Sequence, residues 1–218
     1  MIAGCRRRSD PTGGQWPVTG FDPSSLHRGR LKAADPVDIV AHTLWAGAGV
    51  ALATRRWPIA PRTAFMTMLL AALPDVFHLL PIIGWWLLGD GSFADVRAYA
   101  IAVPGQEPSI PPLIALWSQH LHCVMHSALV AGVVTLLVWT IRRTLWIPLL
   151  GWWSHIVIDV FTHSADYYPS PVLYPITQRG FDGLAWNTPW FLVMNYIVLC
   201  AVGGWLWRSR TNAPSGKS

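Results

Sequence analysis

Five long apolar segments recur along this chain, and they restrict the folds that it can adopt. Only 12% of the residues are charged and 52% are hydrophobic, whereas roughly 25% of the residues in an ordinary soluble domain are charged. A helix needs about 20 apolar residues to cross the hydrocarbon core of a bilayer, and most of the segments approach or exceed that length. The segments are residues 37–54, 63–88, 117–141, 145–163 and 189–207.

These segments predict helices rather than strands. Only α-helices and closed β-barrels satisfy every backbone polar group inside a membrane, and the runs are too long and continuous for the alternating strands of a barrel. We therefore predict an all-α fold, an integral membrane helical bundle of four or five transmembrane helices, over residues 37–207. Pro74 and Pro81 interrupt the second segment.

The two ends of the chain differ from the apolar domain in composition. Residues 1–36 are rich in Gly, Pro, Ser, Asp and Arg and contain no long apolar stretch, so we predict a disordered amino-terminal tail. Residues 208–218 are predicted to form a short basic carboxyl-terminal tail.

The net charge of +5 does not predict nucleic-acid binding, because the basic residues form no continuous helical face. They lie mostly in the tails and between the apolar segments, where such charges set the orientation of a membrane protein. Many of the 14 tryptophans lie near segment ends, as residues of an interfacial aromatic belt do. The predicted partner is therefore the lipid bilayer, and the predicted location is the bacterial inner (cytoplasmic) membrane, crossed several times.

The most informative residues are ionisable groups inside or at the ends of the apolar segments. An unpaired charge in such a place costs several kcal/mol, so each group needs a partner. The groups are His42, Asp75, His78, His122, His126, His155, Asp159 and His163.

Their spacing indicates what that partner is. A single histidine in an apolar helix is more often a hydrogen-bonded structural group than a ligand. However, His122 and His126 are four residues apart, as are His155, Asp159 and His163, so each set lies on one stripe of its helix. Imidazole nitrogens and carboxylate oxygens are the usual ligands of zinc and also suit manganese or iron. The pattern predicts a metal site.

The order of the segments supports the same prediction. If successive segments alternate in direction, His42, Asp75, His126 and Asp159 come to one end of the bundle. The arginines between segments come to the opposite end, which favours a site that faces outward. Basic residues of the amino-terminal tail favour the opposite orientation, because they lie at the same end of the bundle as the predicted metal site.

Several strings of the sequence resemble a known family. They are "ALPDVFH" at residues 72–78, "HCVMHS" at 122–127 and "HIVIDVFTH" at 155–163, with His42 upstream. Together they resemble the membrane-bound, LexA-regulated metal-dependent hydrolase family, which is itself similar to the zinc-dependent phospholipase C and single-strand nuclease superfamily. The resemblance extends over residues 38–176.

The resemblance implies a specific ligand set. The metal ligands that it implies are His42, Asp75, His122, His126, His155 and Asp159. Phe77 stands where the family often has a second aspartate, so one carboxylate is missing. Cys123 and Val124 stand where the family often has Arg and Gly, so an arginine that contacts phosphate is missing as well.

We therefore expect a membrane-bound metal-dependent hydrolase that cleaves an ester or a phosphoester. A divalent metal, Zn²⁺ or Mn²⁺, lowers the pKa of a bound water from about 16 toward 7. We expect Asp159 to bridge ions, and His78 or His163 to orient ligands or carry a proton. A site inside a membrane bundle favours a lipid or lipid-linked substrate.

Two other classes of function stay open at this point. Intramembrane His and Asp residues also serve transporters and binding proteins for metal ions or protons. Such a path needs polar groups through the full depth of the membrane, whereas the predicted cluster lies toward one end. A b-type haem protein would use axial histidines from two helices, and a Soret band would reveal it.

Overall fold

The computed structural model describes residues 37–102, 107–165 and 168–211. This part of the chain is all-α and contains no strand, which confirms the all-α part of the prediction. The predicted amino-terminal tail lies outside the described residues, as do residues 212–218. The helices are α1 (Val37–Ala53), α2 (Pro61–Phe77), α3 (Leu80–Leu88), α4 (Phe93–Ala100), α5 (Pro112–Met125), α6 (Ala128–Arg142), α7 (Leu149–Thr162) and α8 (Pro189–Thr211).

The number of membrane spans is smaller than predicted if single helices are counted. Among the described helices, only α8 is by itself long and apolar enough to cross a membrane, over Pro189–Ser209. The pairs α2 with α3 and α5 with α6 each pass the same test when joined, which gives up to three spans. α1 and α7 are apolar but shorter. The bundle of four or five spans is therefore not established. α8 also continues through residues 208–211, which were predicted to belong to the tail.

Sharp bends divide the second and third predicted segments. α3 is turned by 64° from α2, and α6 is turned by 63° from α5. In the first case Pro74 lies inside α2 and Pro81 follows the break, where proline removes a backbone donor. In the second case Ser127 begins the new helix, because its side chain accepts a hydrogen bond from the amide of Val130. The third segment also starts earlier than predicted, at Pro112.

The predicted polar connection over residues 89–116 contains a short helix, α4. Ser92 caps its first turn: Ser92 Oγ accepts from the amide of Asp95, and the Asp95 carboxylate accepts from the amide of Ser92 at 2.8 Å. This reciprocal pair satisfies two donors that a helix start leaves open. Ser118 of α5 then joins α4 to the end of α2, because its hydroxyl donates to the carbonyl of His78 and lies 3.0 Å from the hydroxyl of Tyr99.

α2 packs between α1 and α7 at the centre of the fold. The contact with α7 is closest at Gly151, where an added Cβ would lie 1.9 Å from the backbone oxygen of Thr67. One turn further along each helix, the fully buried Ala71 faces His155. The absence of a side chain at Gly151 therefore sets the distance between the two helices that carry most of the site described below.

Large apolar side chains cover much of the outer surface. Phe65 of α2, Leu136 of α6 and Ile197 of α8 are each more than half exposed. So many exposed large apolar side chains are unfavourable in water and typical of a surface that contacts lipid or protein. The exposure of these side chains agrees with contact between the helices and the membrane.

Candidate metal centre

Four predicted site residues converge in the interior of the fold. One side-chain atom from each of Asp75, His126, His155 and Asp159 lies within 4.8 Å of all the others. α2 supplies Asp75, the end of α5 supplies His126, and α7 supplies His155 and Asp159. Three of these side chains are at most 1% exposed, and that of Asp75 is 15% exposed. Groups that are far apart in the sequence thus form one buried cluster, the His/Asp group.

Backbone carbonyls fix the orientation of both imidazole rings. His126 Nδ1 lies 2.8 Å from the carbonyl oxygen of His122, and His155 Nδ1 lies 2.8 Å from that of Ala71. A carbonyl oxygen only accepts hydrogen bonds, so each Nδ1 carries a proton. In a neutral ring the lone pair is then on Nε2. This arrangement is the one that metal-binding histidines commonly adopt.

The acceptor atoms of the group point at one another. His126 Nε2 and His155 Nε2 are 3.0 Å apart. Asp159 Oδ2 lies 3.1 Å and 3.0 Å from these nitrogens, and Asp75 Oδ1 lies 3.5 Å from each. Lone pairs and carboxylate charges at such distances repel unless protons or a cation lie among them.

The spacing of these atoms fits a small metal ion. Ligands about 2.0–2.1 Å from a tetrahedral ion are about 3.3 Å apart, and the separations that involve a histidine Nε2, 3.0–3.5 Å, bracket that value. In addition, Asp75 Oδ2 is buried and has no hydrogen-bond partner among the described residues. Because buried polar atoms are nearly always satisfied, this atom also indicates a missing partner. The His/Asp group can therefore hold a metal ion.

His42 and His163 lie on the other side of the Asp159 carboxylate. His42 Nε2 is 2.9 Å from Asp159 Oδ1, and the His42 ring lies against that of His155, with centroids 4.0 Å apart. His163 Nδ1 is 3.7 Å from Asp159 Oδ1 and 3.2 Å from the backbone oxygen of the same residue. Both histidines are buried. The structure thus places them beside the four-residue group, in contact with one of its carboxylates.

His122 and His78 lie further from the group. The His122 ring stacks on the His126 ring at 4.1 Å between centroids, and His78 meets His122 edge-on at 5.8 Å. α5 ends at Met125 and His126 follows as its cap, and the stacked rings lie on one face of the helix, as the spacing predicted. His122 and His78 thus form a row of imidazole rings that leads away from His126.

The ends of the helices that carry the site are held by contacts that the sequence did not reveal. Trp152 Nε1 donates to the carbonyl of Met125 at 2.6 Å, which joins α7 to the last turn of α5. Ser127 donates to the carbonyl of Tyr174 at 2.6 Å and also caps α6. Of these contacts, only the cap by Ser127 could be found from the sequence, because a serine in front of an apolar run commonly begins a helix.

A loop closes the carboxyl end of α7. The amides of Gly183, Leu184 and Trp186 donate to the backbone oxygens of His163, Phe161 and Thr162 at 2.7–2.9 Å. These carbonyls lie in the last turn, where helices have no internal donor for them. The loop therefore fixes the part of α7 that positions Asp159 and His163.

Comparisons of the chain with protein-family models, with curated proteins and with solved structures give no match. The resemblance to the metal-dependent hydrolases stays a prediction from the sequence, and the case for a function depends on the geometry of the His/Asp group.

Proposed function

We propose that this chain is a membrane-bound metal-dependent hydrolase of esters or phosphoesters. The observation that carries the proposal is the convergence of two imidazole Nε2 atoms and two carboxylates inside a buried cluster. A group with this chemistry and spacing fits Zn²⁺, and its oxygen ligands also suit Mn²⁺. We also propose that the chain crosses the bacterial inner membrane several times, with the bent helix pairs contributing spans.

A divalent ion in such a site supplies Lewis acidity, which polarises a carbonyl or phosphoryl oxygen and lowers the pKa of water toward about 7. In the proposal, His126 and His155 present their Nε2 atoms to the ion, and Asp75 and Asp159 each present a carboxylate oxygen. The backbone carbonyls on the two Nδ1 atoms keep the rings in that orientation.

The remaining histidines act on the carboxylates and on protons. His42 Nε2 lies 2.9 Å from Asp159 Oδ1 and so favours the orientation in which Oδ2 faces the group. His163 lies near the same oxygen, close to where a proton has to be moved during hydrolysis. His122 supports the ring of His126 by stacking, and His78 supports His122. We assign these four residues positioning or proton-carrying roles around one ion.

The distribution of polar groups favours hydrolysis over transport. A path across a membrane requires ionisable or hydrated groups throughout its depth. Residues 43–53 of α1, 63–74 of α2 and 149–154 of α7 contain no ionisable side chain. The described part of the bundle therefore has a polar cluster at one end and an apolar remainder.

Purified protein in detergent provides the test. We expect it to hydrolyse at least one nitrophenyl carboxylate or phosphate ester, to lose about 100-fold in rate after chelation, and to recover when Zn²⁺ or Mn²⁺ is added back. His126→Ala should lower the rate to a similar extent. The matched control is His120→Ala, because His120 lies on the same helix and its Nδ1 contacts the Tyr174 hydroxyl, away from the group.

Hydrolysis that persists in metal-free protein, or that falls equally in His120→Ala and His126→Ala, contradicts the proposal. Metal uptake by proteoliposomes in the absence of any hydrolysis would instead assign the protein to the transporters.

A further inference from the structure

A groove lies beside the His/Asp group, between α1, α7 and α8. Its enclosed part is small, about 30 Å³, and the rest of the groove is open to the outside. Trp45, Trp186, Phe191 and Tyr196 supply four aromatic side chains to its walls. Ala41, Ile158 and Leu192 add further apolar surface. The lining is therefore suited to a hydrocarbon ligand.

Two polar groups of the groove are satisfied by the protein itself. Trp45 Nε1 donates to Asn195 Oδ1 at 2.9 Å, a bond that joins α1 to α8. Thr162 Oγ1 donates to the carbonyl of Ile158 at 3.0 Å. Because these bonds are internal, the groups do not require a polar ligand, and the groove keeps its apolar character.

His42 forms the boundary between the groove and the His/Asp group. Its side chain belongs to the groove wall, and its Nε2 lies 2.9 Å from Asp159 Oδ1. Only the side chain of His42 would therefore separate the end of a ligand in the groove from the carboxylate of Asp159. This continuity distinguishes the groove from an ordinary depression on a lipid-facing surface.

The pattern of exposure along α8 indicates where the groove lies. Leu192, Asn195 and Tyr196 are partly covered, whereas Val193 and Ile197 are more than half exposed. α8 is also the helix that is long and apolar enough to span a membrane. One stripe of α8 therefore lines the groove while the adjacent stripe faces outward, where lipid chains are available to enter.

We propose that this groove binds the hydrocarbon chain of a lipid ester, with the ester or phosphoester bond directed past His42 toward the His/Asp group. The inference rests on the proposed function for the identity of the bond, but the binding of the chain is independent of hydrolysis. The proposed substrate class is thus a membrane lipid with a long apolar chain.

Photo-crosslinking tests the location of the chain without relying on activity. The full-length protein is reconstituted in vesicles of phosphatidylcholine that contain phosphatidic acid with a diazirine in one acyl chain, and adducts are mapped by mass spectrometry. We expect adducts at Trp45, Phe191 and Tyr196 to exceed those at the exposed Val193 and Ile197 by at least fivefold. Leu192→Trp fills the groove and should remove this excess. Val193→Trp, which adds the same side chain on the exposed stripe, should retain it.

Adducts spread evenly over both stripes of α8, or a groove signal that Leu192→Trp leaves unchanged, would show ordinary contact with surrounding lipid and overturn the inference. If Leu192→Trp fails to fold, Ala41→Leu provides a second way to fill the groove and is judged by the same comparison.

Hydrolysis supplies a second readout that separates the two proposals. If both are right, Leu192→Trp slows cleavage of a long-chain lipid ester at least tenfold and leaves a short-chain nitrophenyl ester within twofold. A wild-type protein that shows no crosslinking excess in the groove but hydrolyses the short ester defeats the groove alone. A retained excess in a protein that hydrolyses neither ester defeats the proposed function alone.

Discussion

At the scale of single residues, the site depends on two carbonyl oxygens that no substitution can remove. The carbonyls of Ala71 and His122 hold the Nδ1 protons of His155 and His126, so that both Nε2 atoms point inward. Such contacts fix the ring orientation and commonly change metal affinity by 10–100-fold. The side chains that present ligand atoms and those that only support them should therefore respond differently to substitution.

His155 and His122 provide this contrast, since only His155 has an atom in the four-residue group. His155→Phe should abolish tight Zn²⁺ binding because one of four ligands is lost. His122→Phe preserves a ring that can stack on His126, so we expect affinity to fall by no more than about tenfold. Competition with a chromophoric chelator measures both constants. Equal loss in the two variants would show that His122 is itself a ligand.

At the scale of helices, the close approach of α2 and α7 sets the geometry of the group. Gly151 contacts the backbone of α2 one turn before His155 reaches Ala71. A methyl group at this point would separate the two helices and pull His155 away from its carbonyl.

Gly151→Ala should therefore destabilise the fold by about 1–3 kcal/mol, as overpacking does, and weaken metal binding at the same time. Gly132→Ala is the matched control, because an added Cβ at Gly132 meets nothing within 4 Å and alanine favours a helix over glycine by up to about 1 kcal/mol. Thermal melts in detergent, with and without Zn²⁺, compare the two. A Gly151→Ala protein that melts like the wild type would refute the close contact.

Parts of this arrangement could be predicted from the sequence, and others could not. Histidines and aspartates inside apolar runs already indicated which residues meet, because burial forces ionisable groups to find partners. The break after His126 contains no proline, so a continuous helix was predicted where the structure has two helices at an angle of 63°. Ala71 and Met125 act through their backbone oxygens, which accept hydrogen bonds from His155 and Trp152. The pattern of side chains in a sequence does not indicate such contacts. The approach of Gly151 to Thr67 is likewise a tertiary contact.

At the scale of the whole molecule, charge is distributed unequally between the two ends. Arg55 stacks on Trp205 at 4.3 Å and bonds to Ser209, which brings the ends of α1 and α8 together. Most arginines of the described residues lie at this end, in the α1–α2 and α6–α7 turns and near the end of α8, among them Arg55, Arg56, Arg62, Arg142, Arg143 and Arg208. The end that carries the His/Asp group has two, Arg97 and Arg179, beside Asp90, Asp95, Glu107 and Asp182.

By the positive-inside rule, the arginine-rich end should face the cytoplasm and the His/Asp group should lie toward the outside. Cysteine labelling tests this orientation in a background in which Cys5 and Cys200 are replaced by serine. With a membrane-impermeant maleimide on intact cells, Ala94→Cys in α4 should react. Thr144→Cys, between α6 and α7, should react only after permeabilisation. The reverse pattern would place the site on the cytoplasmic side.

The central claim is that the His/Asp group holds a metal ion, and the metal content of the protein tests it most directly. Elemental analysis of detergent-purified wild type is compared with His126→Ala and Asp159→Ala prepared in the same way. We expect close to one Zn²⁺ or Mn²⁺ per chain in the wild type and loss of most of it in each variant. Equal metal content in all three proteins would contradict a metal site in the His/Asp group.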